Sequence, residues 1–116
     1  MTQEIADLTA SIQAFARERD WEQFNTPKNL ACALTVESGE LLEHFQWLTD
    51  AQSRALPPAK LDAVALECAD VFIYLLNLAA TLGIDLADAA RRKLAINAAK
   101  YPVEKARGSA AKYTEL

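Results

Sequence analysis

The chain has 116 residues, about half of them apolar, and a net charge of −4 from twelve Lys and Arg against sixteen Asp and Glu. That length makes one domain with a modest core, for which a partner subunit is a natural supplement, and the acidic balance excludes a general polyanion binder, which carries a basic patch. An acidic protein that handles phosphates needs cations to neutralise them, so a bound metal suits this charge better than a basic groove.

Three glycines and four prolines are few interruptions, and Ala, Leu, Glu, Lys and Arg dominate, so the composition predicts helices throughout. The opening Met1 to Glu4 has no basic segment followed by an apolar run, so no secretory signal is expected. A first helix is predicted from about Thr2 to Asp20, with Ile5, Leu8, Ile12 and Phe15 at helical spacing. Trp21 to Asn25 reads as a link. Thr26 suits an N-cap with Pro27 at the first helical position, opening a second helix to about Leu48. Thr49 to Pro58 reads as a polar loop. The third helix is predicted from about Ala59 to Leu82, stopped by Gly83. Asp85 caps a fourth, Leu86 to about Lys100, which Pro102 ends. Val103 to Leu116 read as a polar tail, expected to be partly extended over a neighbour or disordered at its end. Long helices with short connections predict an all-α, four-helix bundle-like fold, with residues 1–116 as a single domain.

Two segments need comment. Ala63 to Gly83 is apolar enough to resemble a membrane span, but it carries Glu67, Asp70 and Asn77. Acids in lipid are costly, so a buried helix of a soluble protein is expected and no membrane partner. Cys32 and Cys68 lie in apolar runs without zinc or disulfide spacing, and read as buried, reduced thiols of a cytoplasmic protein.

The second and third helices carry matched acids, Glu37 with Glu40 and Glu67 with Asp70. Residues three apart share a helix face. The match extends further: Glu37, Glu40, His44 and Trp47 stand at the same offsets as Glu67, Asp70, Tyr74 and Asn77. At ~100° per residue each set falls within ~80° of arc. Apolar residues flank both stripes, so a hairpin of the two helices would converge four carboxylates inside a bundle. Unpaired anions there repel and are desolvated. Hard divalent cations bound through oxygen remove that cost, and magnesium completes its shell with water and substrate phosphates. A di-iron carboxylate bundle competes with this reading. Its usual pattern sets a His three residues after a Glu, whereas His44 follows Glu40 by four and the third helix has no His. A non-catalytic helical module is the other alternative. Gly39, inside the first acidic pair, costs ~1 kcal/mol relative to Ala in mid-helix. It reads either as close approach of a ligand or helix, or as plain tolerance. Trp21, Trp47 and Tyr74 are candidates to stack on a base. Lys93, Asn97 and Lys100 share a helix face from which they could hold a triphosphate.

The succession Glu-Ser-Gly-Glu-Leu-Leu-Glu-His-Phe-Gln-Trp, Glu-Cys-Ala-Asp-Val-Phe-Ile-Tyr-Leu and Lys-Leu-Ala-Ile-Asn-Ala-Ala-Lys-Tyr-Pro resembles the MazG-like all-α nucleoside triphosphate pyrophosphohydrolases. The segment Arg19-Asp20-Trp21-Glu22-Gln23-Phe24 and the ending Lys112-Tyr113-Thr114-Glu115-Leu116 resemble their dCTP pyrophosphatase branch, so the likeness covers nearly the whole chain. The resemblance implies magnesium, with manganese as a substitute, on Glu37, Glu40, Glu67 and Asp70. It implies nucleotide contacts from Trp21, Trp47, Tyr74, Lys93 and Asn97, and Asn25 is a further candidate contact. It also implies a pocket at a subunit interface, hence a homodimer or a tetramer of two dimers, while the acidic net charge speaks against a nucleic acid partner. The expected reaction is hydrolysis of a nucleoside triphosphate, with dCTP or its 5-modified forms leading and dUTP or other non-canonical triphosphates following. The products are the monophosphate and pyrophosphate. Glu40, paired with Glu37, is the expected base toward water. The chain departs from the branch at Asn25, where a His is common, and at Ile12, a position that can be His. Both departures fall on the base-pocket side.

Overall fold

Every regular element among the described residues is helical. The computed structural model describes residues 2–116; Met1, where the expected domain starts, lies outside them. The described chain forms two compact units, Thr2–Ile84 and Asp85–Leu116.

The first unit opens with α1, Gln3–Glu18, whose N-cap Thr2 accepts a hydrogen bond from the Ile5 N–H. Its end is a reversal built on Asp20, which takes a positive φ of 55°. The Trp21 N–H donates to the Ala16 carbonyl at 2.9 Å and the Asp20 N–H to Arg17 at 3.1 Å, the bond pair of a Schellman stop. The turn brings Trp21 back beside α1, where its ring meets Phe15 edge-on at 5.8 Å.

Helix α2, Pro27–Glu43, starts where the sequence places it, with Thr26 accepting from the Asn29 N–H and Pro27 at the first position. It ends five residues before the predicted Leu48. From His44 onward the bonds tighten to three-residue steps, His44 N–H to Leu41 and Phe45 N–H to Leu42. The predicted loop over 49–58 contains a short helix, α3, Asp50–Ser53. A capping box starts it: the Gln52 N–H donates to the Thr49 hydroxyl, and the Thr49 N–H donates to the Gln52 side-chain oxygen.

Helix α4, Pro58–Thr81, ends in the same way as α1. Gly83 has φ 67°, the Ile84 N–H donates to Ala79 at 2.8 Å, and the Gly83 N–H donates to Ala80 at 3.2 Å. α4 packs along α2 and more lightly on α1. The buried apolar residues are Ala16, Leu30, Val64, Leu76 and Ala79, with Asn77 the buried polar residue. By length and composition α4 could cross a membrane, the feature the sequence shows over 63–83. It is not the buried helix that was expected: Leu61, Leu66, Phe72 and Ile73 are exposed in this chain. The cysteines are likewise exposed rather than buried. The physical reason is angular. At ~100° per residue, Cys68 sits ~100° from Glu67 and Cys32 ~140° from Glu37, so both leave the seam between α2 and α4.

The second unit contains α5, Leu86–Lys100, capped by Asp85, whose carboxylate accepts from the Asp88 N–H at 3.1 Å. That bond holds the Asp85 carboxyl below its ordinary pKa. Pro102 ends α5 as predicted. The tail differs from the expectation of a partly extended or disordered segment: it forms α6, Val103–Ala106, then a 3₁₀ turn, Tyr113–Glu115. Tyr113 anchors that turn locally, meeting the Tyr101 ring edge-on at 6.0 Å and lying under the Lys100 ammonium at 4.8 Å. None of this unit's residues is buried.

Candidate active site

The stripes of acids meet where α2 and α4 pack. Glu37, Glu67 and Asp70 each bring an oxygen to within 4.8 Å of the others. Glu37 and Glu67 are half-buried and Asp70 is exposed. Two carboxylate oxygens in this group, Glu37 Oε2 and Glu67 Oε2, are buried with no hydrogen-bond partner among the described residues. Such orphaned acceptors cost free energy unless something electropositive satisfies them.

The electrostatics report the same crowding. Glu37 is pushed up from 4.5 to about 7, first by burial, then by a hydrogen bond and charge repulsion from Glu40, then by the charges of Asp70 and Glu67. Glu40 therefore shares the environment of the cluster from the next turn of α2. A proton on Glu37 relieves part of this repulsion. The donor set is all oxygen, and its buried members lack partners, so the residues present fit a hard divalent cation. Gly39 leaves open space: a Cβ built there meets no atom within 4 Å. Tight packing inside this chain does not explain it.

A cavity of about 410 Å³ adjoins the cluster, and Asp70 belongs to both. α1 supplies Ile12 and Phe15, the turn after α1 supplies Trp21 and Asn25, and α4 supplies Tyr74. The volume lies in the range of small-molecule sites, ~300–1,000 Å³. Phe15 is 49% exposed and Trp21 47%, so two aromatic faces remain available beside a polar amide and a phenol. The Arg19 guanidinium covers one face of Phe15 at 3.6 Å and donates to the Phe15 carbonyl, which fixes the ring.

Of the residues that the sequence singles out, the structure brings together Glu37, Glu40, Glu67 and Asp70, and sets Trp21, Asn25 and Tyr74 around the adjoining cavity. Trp47 is 87% exposed in the turn after α2 and does not line that cavity. Lys93 and Asn97 stand on α5 in the second unit, Lys93 exposed and Asn97 half-buried. The cavity residues that sequence reading missed include Leu8, Ser11 and Phe15. Leu8 and Phe15 belong to an apolar stripe that reads as core; the helix stop at Asp20 was the signal that Trp21 would return to face it.

Comparison with known proteins identifies the chain's relatives. A family model described as the MazG-like family matches residues 32–116. The chain is 50% identical over 114 residues to dCTP pyrophosphatase 1 of Mus musculus, covering 97% of this chain and 67% of that protein. It is 36% identical over 96 residues to the dATP/dGTP diphosphohydrolase of Cyanophage S-2L, covering 83% of this chain and 75% of that one. The crystal structure of a pyrophosphatase from Archaeoglobus fulgidus superposes with a TM-score of 0.82 at 35% identity, over 88% of this chain and 95% of that chain. With three helices delivering acids and aromatics to one place, and a family match over most of its length, the chain belongs to the MazG-like family.

Proposed function

We propose that this protein hydrolyses nucleoside triphosphates to the monophosphate and pyrophosphate, with dCTP or a 5-modified dCTP as the preferred substrate. The observation that carries the reading is the shared position of Asp70, which joins an oxygen-only acid cluster to an aromatic-walled cavity of nucleoside size. The identity of about half to dCTP pyrophosphatase 1 supports the base, and the phage relative that acts on purine triphosphates marks how far selectivity varies in similar chains.

Glu37, Glu67 and Asp70, with Glu40 beside them, would hold magnesium, with manganese able to substitute. When bound, the ion neutralises the triphosphate and makes phosphorus more open to attack. The chain's own residues do the rest. Trp21 and Tyr74 receive the base between aromatic faces, and Asn25 offers it one donor and one acceptor. Glu40 orients the attacking water and takes its proton. The new bond joins water oxygen to phosphorus, and the bridging oxygen between the α and β phosphates leaves with pyrophosphate. Lys93 and Asn97 are proposed as further substrate contacts, on the strength of the family pattern, and Trp47 as an aromatic contact supplied from an exposed position. Self-association into a dimer or a pair of dimers fits the exposed apolar faces of α2 and α4. Two exposed free thiols suit a reducing, cytoplasmic setting.

A panel of nucleoside triphosphates incubated with and without magnesium, with pyrophosphate as readout, tests the proposal. The expected result is metal-dependent release that is fastest with dCTP or a 5-substituted dCTP. No release from any triphosphate would overturn it.

A further inference from the structure

His44 is the chain's single histidine, and the proposed reaction leaves it unused. It stands at the C-cap of α2, half-buried, four residues beyond Glu40. Its backbone N–H bonds back to Leu41, which holds the residue at the seam instead of letting it fray outward. The imidazole reaches across that seam to α4: Nε2 lies 3.8 Å from Glu67 Oε1.

The two oxygens of Glu67 are thereby divided. Oε1 faces the imidazole, and Oε2 is buried without a hydrogen-bond partner among the described residues. An N–H···O bond closes at about 2.9 Å, so ~1 Å of side-chain movement converts the present contact into one. Carboxylates that ligate a metal through one oxygen are commonly held by a donor on the other, and losing that donor weakens metal binding by about 10–100-fold. His44 is placed to be that donor. Among the described residues, His44 is the side chain paired with Glu67.

We propose that His44 is a positioning residue for the cation site: its Nε2–H donates to Glu67 Oε1 and so aims Oε2 at the oxygens of Glu37 and Asp70. This rests on the reading that these acids hold a divalent cation.

The test compares His44→Met with His44→Gln, side chains of similar length of which only Gln has a donor. Mn²⁺ is titrated into nucleotide-free protein, with the free ion followed by electron paramagnetic resonance and the metal-free melting temperature as fold control. H44M is expected to weaken Mn²⁺ binding about 10–100-fold, and H44Q to stay within a few-fold of the parent. If H44M folds poorly, His44→Ala, small and without a donor, takes its place. H44M binding Mn²⁺ as tightly as the parent, or H44Q losing as much as H44M, overturns the role of His44. A parent protein that takes up no Mn²⁺ removes both this role and the metal reading, so the two failures are distinguishable.

Discussion

At the scale of single residues, the acid cluster is a compromise between folding and function. Glu37 is neutral up to about pH 7 because burial and three neighbouring acids oppose its ionisation. The unfolded chain ionises it near its ordinary 4.5. Between those values the folded state holds the extra proton, so its contribution to stability is full below about 4.5 and is lost as pH rises through about 7. Metal-free protein should therefore melt at a lower temperature at pH 7.5 than at pH 5.5, other groups being equal. A cation must displace the same proton, so below about pH 7 its apparent affinity should fall roughly tenfold per pH unit. Calorimetric Mg²⁺ titrations in two buffers of different ionisation enthalpy would count that proton; zero release at pH 6 would contradict the assignment. Replacing Glu67 by Gln removes one repelling charge and one ligand together. It should lower turnover by at least two orders of magnitude while raising metal-free stability by about 1 kcal/mol, the trade expected of a strained site. Thermal melts in EDTA alongside pyrophosphate assays would show both signs. The convergence of these acids was legible because equal offsets on two amphipathic helices define two facing stripes. Their protonation was not, since it depends on how closely the helices approach.

At the scale of elements, local chemistry was readable wherever a cap decided the outcome. Thr26-Pro27 and Asp85 begin α2 and α5 where the sequence places them, because hydroxyl and carboxylate caps act within three residues. The end of α2 was read too late because His44 to Trp47 keep a helical hydrophobic pattern while the backbone tightens into turns. The signal for α3 was present as Thr49-x-x-Gln52 and lay inside a stretch that composition marks as loop. The cavity was hidden for a different reason: its wall depends on the reversal at Asp20, a non-glycine residue at positive φ. Both Schellman stops make testable demands. Gly83→Ala should cost about 1 kcal/mol, because φ 67° is unfavourable for a Cβ. Asp20→Gly should leave stability within about 1 kcal/mol of the parent, since relief of the backbone offsets the lost hydrogen bond from Gln23 to the Asp20 carboxylate. Urea melts of the two variants would rank them; Gly83→Ala proving the milder change would mean that the stops are not what sets these helix ends.

At the scale of the whole molecule, charge and apolar surface are distributed unevenly. Residues 2–84 hold twelve Asp and Glu against five Lys and Arg, while residues 85–116 hold seven Lys and Arg against four Asp and Glu. The acid cluster thus sits in an acidic unit, and Lys93 and Lys100 sit in a basic one. Sequence spacing shows that Lys93 and Asn97 share a face of α5, but it cannot relate that face to the acids, because this depends on tertiary and subunit placement. Apolar burial is similarly incomplete. Leu30 is 1% exposed, yet Leu66 is 64%, Val36 60% and Leu94 68%. Five buried apolar residues among those described, two of them alanines, are a small core for a chain of this length. Exposed Leu and Val on long helices stabilise by ~25 cal/mol per Å² once another surface covers them. A second copy is the partner that supplies such a surface at every concentration at which the protein itself is present. Sedimentation of the parent should therefore give a dimer or larger species at micromolar concentration. Leu66→Glu, which sets a charge in the apolar outer face of α4 away from the acid seam, should weaken self-association at least tenfold. It should also lower turnover at nanomolar enzyme if the nucleotide pocket is completed between subunits. A monomeric parent, or an L66E variant that assembles and works like the parent, would mean that these faces are covered by something other than a second copy of the chain.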